Sequence, residues 1–155
     1  PSLLRGNSMS DSVIVFPTDF SNQSMAAAEW VKKMAALENA RIHCVYSIEM
    51  PHYYGAFVNS AAMMPSATDL ENFGQQRMKE FLGENSAYFN PEPVTAVLVG
   101  KPAIQIVDYA REHEAKMIIM ATHGYRGIRH AVLGSTTEAV LREADCPVLV
   151  IRSKD

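Results

Sequence analysis

The chain has 155 residues, which suits a single domain, because most globular domains hold about 100–150 residues. Apolar residues make up 48% and charged residues 20% of the chain, a globular composition that excludes a disordered polypeptide. The net charge of −3 gives no basic field for a phosphate backbone, and no apolar run is long enough to span a membrane. The sequence therefore predicts neither a nucleic-acid partner nor a membrane association.

Two features of the sequence indicate the compartment. The two cysteines, Cys44 and Cys146, lie far apart among apolar residues, and we expect two buried thiols without a paired or catalytic role. Residues 1–8 have too short an apolar core for a signal peptide and are interpreted as an expression-vector remnant ahead of Met9. We therefore expect a cytoplasmic protein whose domain spans residues 9–155.

The N-terminal half alternates apolar runs with helical patterns. Val13 to Phe16 is an uninterrupted apolar run closed by Pro17, as expected of a strand buried on both faces. The predicted elements are strand 13–16, a helix over 25–37 capped by Ser21, strand 42–48 and a helix over 66–88. Between the second strand and the second helix, residues 49–65 are rich in Pro, Tyr, Gly, Ser and Met, which predicts a long, mobile surface loop.

The C-terminal half repeats the same alternation. The predicted elements are strand 94–99, a helix beginning at Pro102, strand 117–121, a helix from Ser135 to about Ala144 and strand 147–151. Ser135 and Glu138 have the spacing of a capping box. Continuously apolar strands that alternate with helices indicate a parallel sheet covered on both faces. The sequence therefore predicts an α/β fold, a single doubly wound five-stranded parallel sheet sandwiched by helices.

Two segments at predicted strand ends look specialised for a ligand. Ligands of doubly wound sheets bind beyond the carboxyl ends of the strands, where the strand order reverses. The first segment is 17–21, and the second is 121–127, which leads to 134–137. Gly124 and Gly127 permit backbone conformations closed to other residues and a close approach to a ligand.

The segment 134–137 lies at a predicted helix start, where free N–H groups favour an anion. Arg126 and Arg129 add charge that matches phosphate geometry. The alternative interpretation is a glycine turn, a capped helix and solvated arginines, and the composition does not decide between the two.

Motifs of other chemistries do not occur in the sequence. There is no G-x-x-x-x-G-K-[ST] loop, no G-x-G-x-x-G after a strand and no G-x-S-x-G elbow. His123 and His130, seven residues apart across a loop, do not have a metal-ligand spacing. We therefore assign no catalytic residue and no metal ligand.

Two side chains keep two interpretations each. His123 either orders its loop through a hydrogen bond to the backbone or takes part in binding. Asp19 either forms an Asx-type turn or accepts hydrogen bonds from ribose hydroxyls and adenine donors, and its place at the end of a buried strand favours the second interpretation.

The segments taken together resemble the universal stress protein family. The resemblance rests on Pro17-Thr18-Asp19-Phe20-Ser21, on 99–102, on Met120-Ala121-Thr122-His123-Gly124 followed after nine residues by Gly134-Ser135, and on 147–151. The match runs from about Ser12 to Ile151, with 49–65 as the variable region. It implies a strand order of 3-2-1-4-5, so that the order reverses between strands one and four.

The resemblance also implies a site for ATP or ADP, with or without Mg²⁺. The phosphate pattern of ATP-binding members falls on Ala121, Gly124, Gly134 and Ser135, and Ala121 replaces the first glycine. Alanine is tolerated there if its φ is negative and is strained if its φ is positive. Ser47 stands where an apolar residue often faces the adenine. The implied binding residues are Pro17, Thr18, Asp19, Ser47, Met120, Ala121, His123, Gly124, Arg126, Gly127, Gly134, Ser135, Thr136 and Thr137.

A homodimer built on strand five is implied as well. The sequence supports this, because residues 147–151 would form an uncharged edge strand that needs a cover. We therefore expect a cytoplasmic stress-response protein that binds ATP or ADP as a dimeric switch with little or no hydrolysis. The alternative is a dimeric interaction protein of the same family that binds no nucleotide and contacts a protein partner; an enzymatic role finds no support in the sequence.

Overall fold

A computed structural model describes residues 12–49, 65–124 and 133–153 of the chain. Residues 1–11, which include the predicted remnant, and residues 50–64, which make up nearly all of the predicted loop, lie outside the described residues.

The described residues form one five-stranded sheet in which every strand pairs in parallel with its neighbours. The strands are β1 (Val13–Pro17), β2 (Arg41–Ile48), β3 (Val94–Val99), β4 (Met117–Ala121) and β5 (Val148–Ile151). Their order is β3-β2-β1-β4-β5, so the chain reverses direction across the sheet between β1 and β4. The predicted fold class and strand order are confirmed.

Helices cover both faces of the sheet. They are α1 (Ala28–Leu37), α2 (Ala67–Glu84), α3 (Pro102–Glu112) and α4 (Ser135–Glu143). One core joins the sheet to α3 and α4, and the other joins it to α1 and α2. Two layers of helices therefore enclose the sheet, as continuously apolar strands require.

The alternation of side chains along β1 distributes its residues between the two cores. Val13 and Val15 lie in the α3/α4 core, whereas Ile14 and Phe16 lie in the α1/α2 core. Ile14, Val15 and Phe16 are completely buried. Burying one side chain of this size contributes about 1.5–3 kcal/mol, so the central strand stabilises both layers.

The first helix begins later than its alanine-rich sequence predicts. Residues Ser24–Ala27 form a 3₁₀ turn, and the α-helix starts only at Ala28. Met25 N–H donates to the Asn22 carbonyl, three residues before it, and Ser24 N–H donates to the Ser21 hydroxyl. The Ser21 hydroxyl therefore binds the first N–H of a 3₁₀ turn and does not cap an α-helix.

Two other helix ends differ from the sequence prediction. The second helix ends at Glu84, not at Tyr88: Asn85 leaves the helical conformation, with φ −118° and ψ 28°, and its side-chain amide donates to the Phe81 carbonyl. The predicted capping box at Ser135 and Glu138 is wrong. Gly134 is the extended N-cap residue, so Ser135 already lies inside the helix. A capping box does occur at Ser66 and Asp69.

Both cysteines are free thiols, as predicted, but they differ in burial. Cys44 is completely buried, and burial raises the pKa of its thiol to about 12, which makes it a poor nucleophile. Cys146 is half-buried rather than buried.

None of the helices within the described ranges has the length and apolar character that crossing a bilayer requires.

A buried histidine links β2 to α3 near the amino ends of the strands. His43 is buried, and its Nδ1 lies 2.8 Å from the Tyr109 hydroxyl. The ring of His113 stacks on Tyr109 at 3.9 Å and meets the His43 ring edge-on at 5.3 Å. Burial, and then the positive charges of His113 and Arg41, hold the pKa of His43 below 6.5.

This geometry predicts that acid destabilises the fold through His43. Because the folded pKa lies below the unfolded value of 6.5, the unfolded chain takes up the proton first as the pH falls. The free energy of unfolding is therefore fully retained above pH 6.5 and declines below it, by at most about 1.4 kcal/mol per pH unit for one proton. Urea denaturation between pH 5 and 8 measures the slope.

His43→Gln is the matched variant, since an amide keeps a hydrogen bond to Tyr109 without titrating. Subtracting its pH profile from that of the wild type isolates His43 from every other titrating group. Identical slopes in the two proteins would show that His43 does not carry the effect.

Candidate functional site

The strand ends at the reversal point do not stay paired. The ladder between β1 and β4 covers two registered pairs, Ile14 with Met117 and Val15 with Ile118. The ladder between β1 and β2 continues to Pro17. Thr18 N–H donates to the Val45 carbonyl on the β2 side, so by alternation the Pro17 nitrogen faces β4. Proline has no N–H, and the β1–β4 ladder stops at Val15 and Ile118. The unpaired strand ends beyond these residues are called the crevice below, because they lie at the reversal point where doubly wound sheets take their ligands.

A tight turn follows β1 and holds Asp19 in place. Asp19 Oδ1 accepts hydrogen bonds from both the main-chain N–H and the hydroxyl of Ser21. The Ser24 hydroxyl in turn donates to the Ser21 carbonyl and lies 2.9 Å from the Thr18 hydroxyl. Thr18, Ser21 and Ser24 are all buried, so the carboxylate is fixed by an interior hydroxyl network. The Asx-type turn, which the sequence favoured less than a role as a ribose or adenine acceptor, is present at Asp19.

The turn also contains a strained residue. Phe20 has a φ of 67°, in the left-handed region that a bulky side chain rarely adopts, at a cost of about 1–3 kcal/mol. Its N–H donates to the Thr18 hydroxyl, and its ring packs against Tyr46 at 4.4 Å and Phe81 at 5.2 Å. Arg77 lies 5.7 Å from the same ring. These contacts offset the strain and fix the direction in which the turn presents Asp19.

Asp19 reaches across the crevice to the loop that follows β4. A Cβ atom built on Gly124 would lie 2.7 Å from Asp19 Cγ, and closer still to Oδ2. The absence of a side chain at Gly124 therefore lets the two loops meet. Gly124 does not use the positive φ that glycine permits, which among the described glycines occurs at Gly100. The close approach that glycine also permits is made here by Asp19.

The end of β4 is anchored on both sides. Thr122 N–H donates to the Ile151 carbonyl, and the Thr122 carbonyl accepts the Gly134 N–H at 2.7 Å. His123 Nδ1 lies 3.2 Å from the Thr122 hydroxyl, a side-chain partner, whereas the loop-ordering interpretation of His123 called for a backbone partner. The hydrogen bond between Thr122 and Gly134 thus connects the described residues on either side of segment 125–132.

The start of α4 is a glycine cap directly beside β4. Gly134 is extended, and its carbonyl accepts the Glu138 N–H. Thr137 is buried, and its hydroxyl donates to the Ala121 carbonyl at 2.9 Å. Because Gly134 has no side chain, the first N–H groups of α4 receive no side-chain cap from it. These groups and the helix dipole favour an anion at this end.

Ala121 lies within a regular strand. It is paired in parallel register with Ile151, and positive φ among the described non-glycine residues occurs elsewhere, at Phe20, Asn39 and Glu114. Its methyl group therefore causes no backbone strain, which satisfies the condition under which alanine is tolerated at this position.

The remaining predicted site residues fall into three groups. Met120 is buried in the α3/α4 core, and its side chain contributes packing there. Ser47 lies at the carboxyl end of β2, and its hydroxyl donates to the Gly100 carbonyl at 3.1 Å. Arg126, Gly127 and Arg129 lie outside the described residues.

Sequence reasoning missed Ser153 and the hydroxyl of Thr122. Both are buried, and Ser153 N–H donates to the Thr122 hydroxyl at 2.9 Å. The hydrogen bonds of Ser153 to Thr122 and His123 span 31 and 30 residues, so no local pattern marks them. Thr122 lies within the motif Met120-Ala121-Thr122-His123-Gly124, and this motif was the one feature of the sequence that could have drawn attention to its hydroxyl.

The family of the chain follows from comparison with known proteins. The sequence model described as "Universal stress protein family" matches residues 12–152, nearly the whole described chain. The chain belongs to the universal stress protein family. The family predicted from the motifs is therefore confirmed.

The matches to individual relatives cover most of this chain and most of each relative. Universal stress protein MJ0531 of Methanocaldococcus jannaschii is 30% identical over 151 residues, which cover 97% of this chain and 88% of that protein. Universal stress protein A homolog 2 of Coxiella burnetii is 30% identical over 134 residues, or 86% of this chain and 88% of that protein.

Solved structures of the family share the fold. The MJ0577 protein of M. jannaschii has a TM-score of 0.75 at 26% identity, with 93% of this chain and 97% of that chain covered. A universal stress protein in complex with cAMP has a TM-score of 0.63 at 20% identity, with 92% and 98% covered. A family member from Archaeoglobus fulgidus in complex with dAMP has a TM-score of 0.62 at 21% identity, with 92% and 98% covered.

The contact between Asp19 and Gly124 predicts a coupled pair. In Gly124→Ala the new methyl group meets a carboxylate that Ser21 holds in place, so the free energy of unfolding should fall by about 1–3 kcal/mol. Asp19→Ser shortens the side chain and keeps an oxygen for the turn. In that background the cost of Gly124→Ala should shrink to about 0.5 kcal/mol or less. Urea denaturation of the four proteins measures the coupling.

Gly83→Ala is the matched control. A methyl group there meets nothing within 4 Å, and Gly83 is exposed in α2. This change should stabilise the protein by up to about 1 kcal/mol through helix propensity. Strictly additive effects of the Asp19 and Gly124 changes would contradict the proposed contact.

Proposed function

We propose that this chain binds an adenine nucleotide, ATP or ADP, at the carboxyl ends of β1 and β4 and acts in the cytoplasm as a dimeric, nucleotide-dependent stress-response switch. The observation that carries the proposal is the convergence at the reversal point of the sheet. There an unpaired crevice, the Asp19 turn, Gly124 and the glycine-capped start of α4 lie together. Ligands of doubly wound sheets bind at this point.

The residues present fit the two ends of a nucleotide. The first turn of α4, which receives no side-chain cap from Gly134, would bind phosphate oxygens through the N–H groups of Ser135 and Thr136, while Gly134 itself donates to the Thr122 carbonyl. Asp19 offers a carboxylate to ribose hydroxyls or adenine donors. Mg²⁺, when it accompanies the nucleotide, is usually held largely by phosphate oxygens and water. The predicted contributions of Arg126 and Gly127 belong to the same proposal.

Relatives support the ligand class. Two solved universal stress proteins are complexes with cAMP and dAMP, both adenine nucleotides. The unstrained strand position of Ala121 removes the main objection to the same class of ligand here.

Little or no hydrolysis is part of the proposal. Asp19, the carboxylate beside the crevice, is committed through Oδ1 to two hydrogen bonds from Ser21. Such a fixed acceptor suits binding better than proton transfer, because a general base has to be free to take the proton.

One observation favours the alternative, a dimeric interaction protein without a nucleotide. The Asp19 carboxylate lies against Gly124 and brings negative charge to the crevice. A negative group near bound phosphates opposes binding unless the ligand places its sugar or base there. A direct titration separates the two functions.

Calorimetric titration of the nucleotide-stripped protein with ATP and Mg²⁺ is the first experiment. We expect a dissociation constant in the micromolar range, which corresponds to a binding free energy of about −8 kcal/mol. Gly124→Val should abolish binding because its side chain occupies the space between the loops, whereas Gly83→Val, on an exposed helix surface, should bind as the wild type does. No heat at millimolar ATP with an intact dimer would favour the interaction protein. Unchanged affinity in Gly124→Val would place the nucleotide elsewhere.

The dimer is proposed to form through β5. This strand ends the sheet order, carries the uncharged sequence Val148 to Ile151 and is half-buried along its length. Two such edges that pair would bury their backbone groups and give a two-fold dimer.

A lysine on each edge of the sheet tests this arrangement. Val150→Lys places a charge in the middle of β5 and should shift the protein to monomers in sedimentation equilibrium. Thr95→Lys, at an exposed position of the opposite edge strand β3, is the control and should leave the dimer intact. Dissociation by Thr95→Lys alone would assign the interface to β3 instead.

A further inference from the structure

The residue that follows β5 joins the loops of the candidate site. Ser153 is 8% exposed, and its N–H donates to the Thr122 hydroxyl at 2.9 Å. Its own hydroxyl lies 3.2 Å from the His123 carbonyl and 3.3 Å from the Gln23 carbonyl. A serine hydroxyl has one proton, so the two carbonyl oxygens share it in a three-centre hydrogen bond.

These contacts connect three separate parts of the chain. Gln23 precedes the 3₁₀ turn after β1, Thr122 and His123 follow β4, and Ser153 follows β5. The hydrogen bonds span 130, 31 and 30 residues along the sequence. Ser153 therefore fixes the spacing between the two loops that border the crevice.

The same contacts control the direction of the loop after β4. Thr122 is held through its hydroxyl by Ser153, while its carbonyl accepts the Gly134 N–H. His123 is held by its carbonyl, and the next residue is Gly124, which meets Asp19. Displacing Ser153 would move Gly124 relative to Gly134, the two glycines proposed to border the phosphates.

We propose that Ser153 is a positioning residue of the nucleotide site. Its contacts hold the Thr122–Gly124 segment at the distance from α4 that bound phosphates require. This inference rests on the proposed function.

The affinity test compares ligands with and without phosphates. Ser153→Ala removes the shared hydroxyl proton and keeps the main-chain N–H. It should weaken ATP binding by about tenfold, the equivalent of one net hydrogen bond, while adenosine affinity changes by less than about twofold. Ser153→Thr restores the hydroxyl and should recover most of the ATP affinity. Ser86→Ala, at an exposed serine after α2, is the control and should bind as the wild type does. An unchanged ratio of ATP to adenosine affinity in Ser153→Ala would overturn the positioning role.

A second measurement needs no nucleotide and separates this inference from the proposed function. In the ligand-free protein, hydrogen exchange of the Gly134 amide reports its bond to the Thr122 carbonyl. Ser153→Ala should accelerate this exchange by about tenfold relative to the amides of β1. If the wild type binds no nucleotide, accelerated exchange still supports the spacing role and only the proposed function fails. Unchanged Gly134 exchange in Ser153→Ala would overturn the inference, whether or not ATP binds.

Discussion

The carboxyl end of the sheet depends on buried hydroxyl groups. Of the buried polar side chains in the described ranges, all but His43 are serines or threonines that lie at this end: Thr18, Ser21, Ser24, Thr122, Thr137 and Ser153. Each has a hydrogen-bond partner, so their burial does not leave an unsatisfied polar group. Apolar packing determines where the strands lie, whereas these hydroxyls determine where the loops between them lie.

The central fold was predictable because burial on both faces demands apolar strands. Val13 to Phe16 shows this in its sequence, and the parallel arrangement follows from the helices between the strands. Helix ends were less predictable because several local hydrogen bonds compete there. Ser135 has the spacing of a capping box, but the preceding Gly134 takes the cap position and its carbonyl accepts the first helical bond. Likewise, the Ser21 and Ser24 hydroxyls convert the first helical turn into 3₁₀ geometry.

The candidate site was predictable in its location but not in its internal contacts. Motifs at the ends of β1 and β4 identify the loops, and the topology brings those loops together. The contact between Asp19 and Gly124 joins residues more than 100 positions apart, and Ser153 has no sequence signature at all. Serine side chains are mostly exposed in folded proteins, so the burial of Ser153 emerges only from the three-dimensional arrangement. Long-range polar contacts of this kind depend on a fold that is already formed.

The short ladder between β1 and β4 has a mechanical consequence. With two registered pairs, this seam has a shorter ladder than those on either side of it, extended at one end by the Lys116 N–H, which donates to the Val13 carbonyl. Cohesion across the seam therefore comes mainly from the side chains of the two cores, in which Ile14 and Ile119 share one layer and Val15 and Ile118 the other. Dispersion and apolar burial lack the directionality of hydrogen bonds. The strands β3-β2-β1 and β4-β5 are thus joined at the centre of the sheet by a short ladder and two apolar layers, and the ladder ends before the strands do.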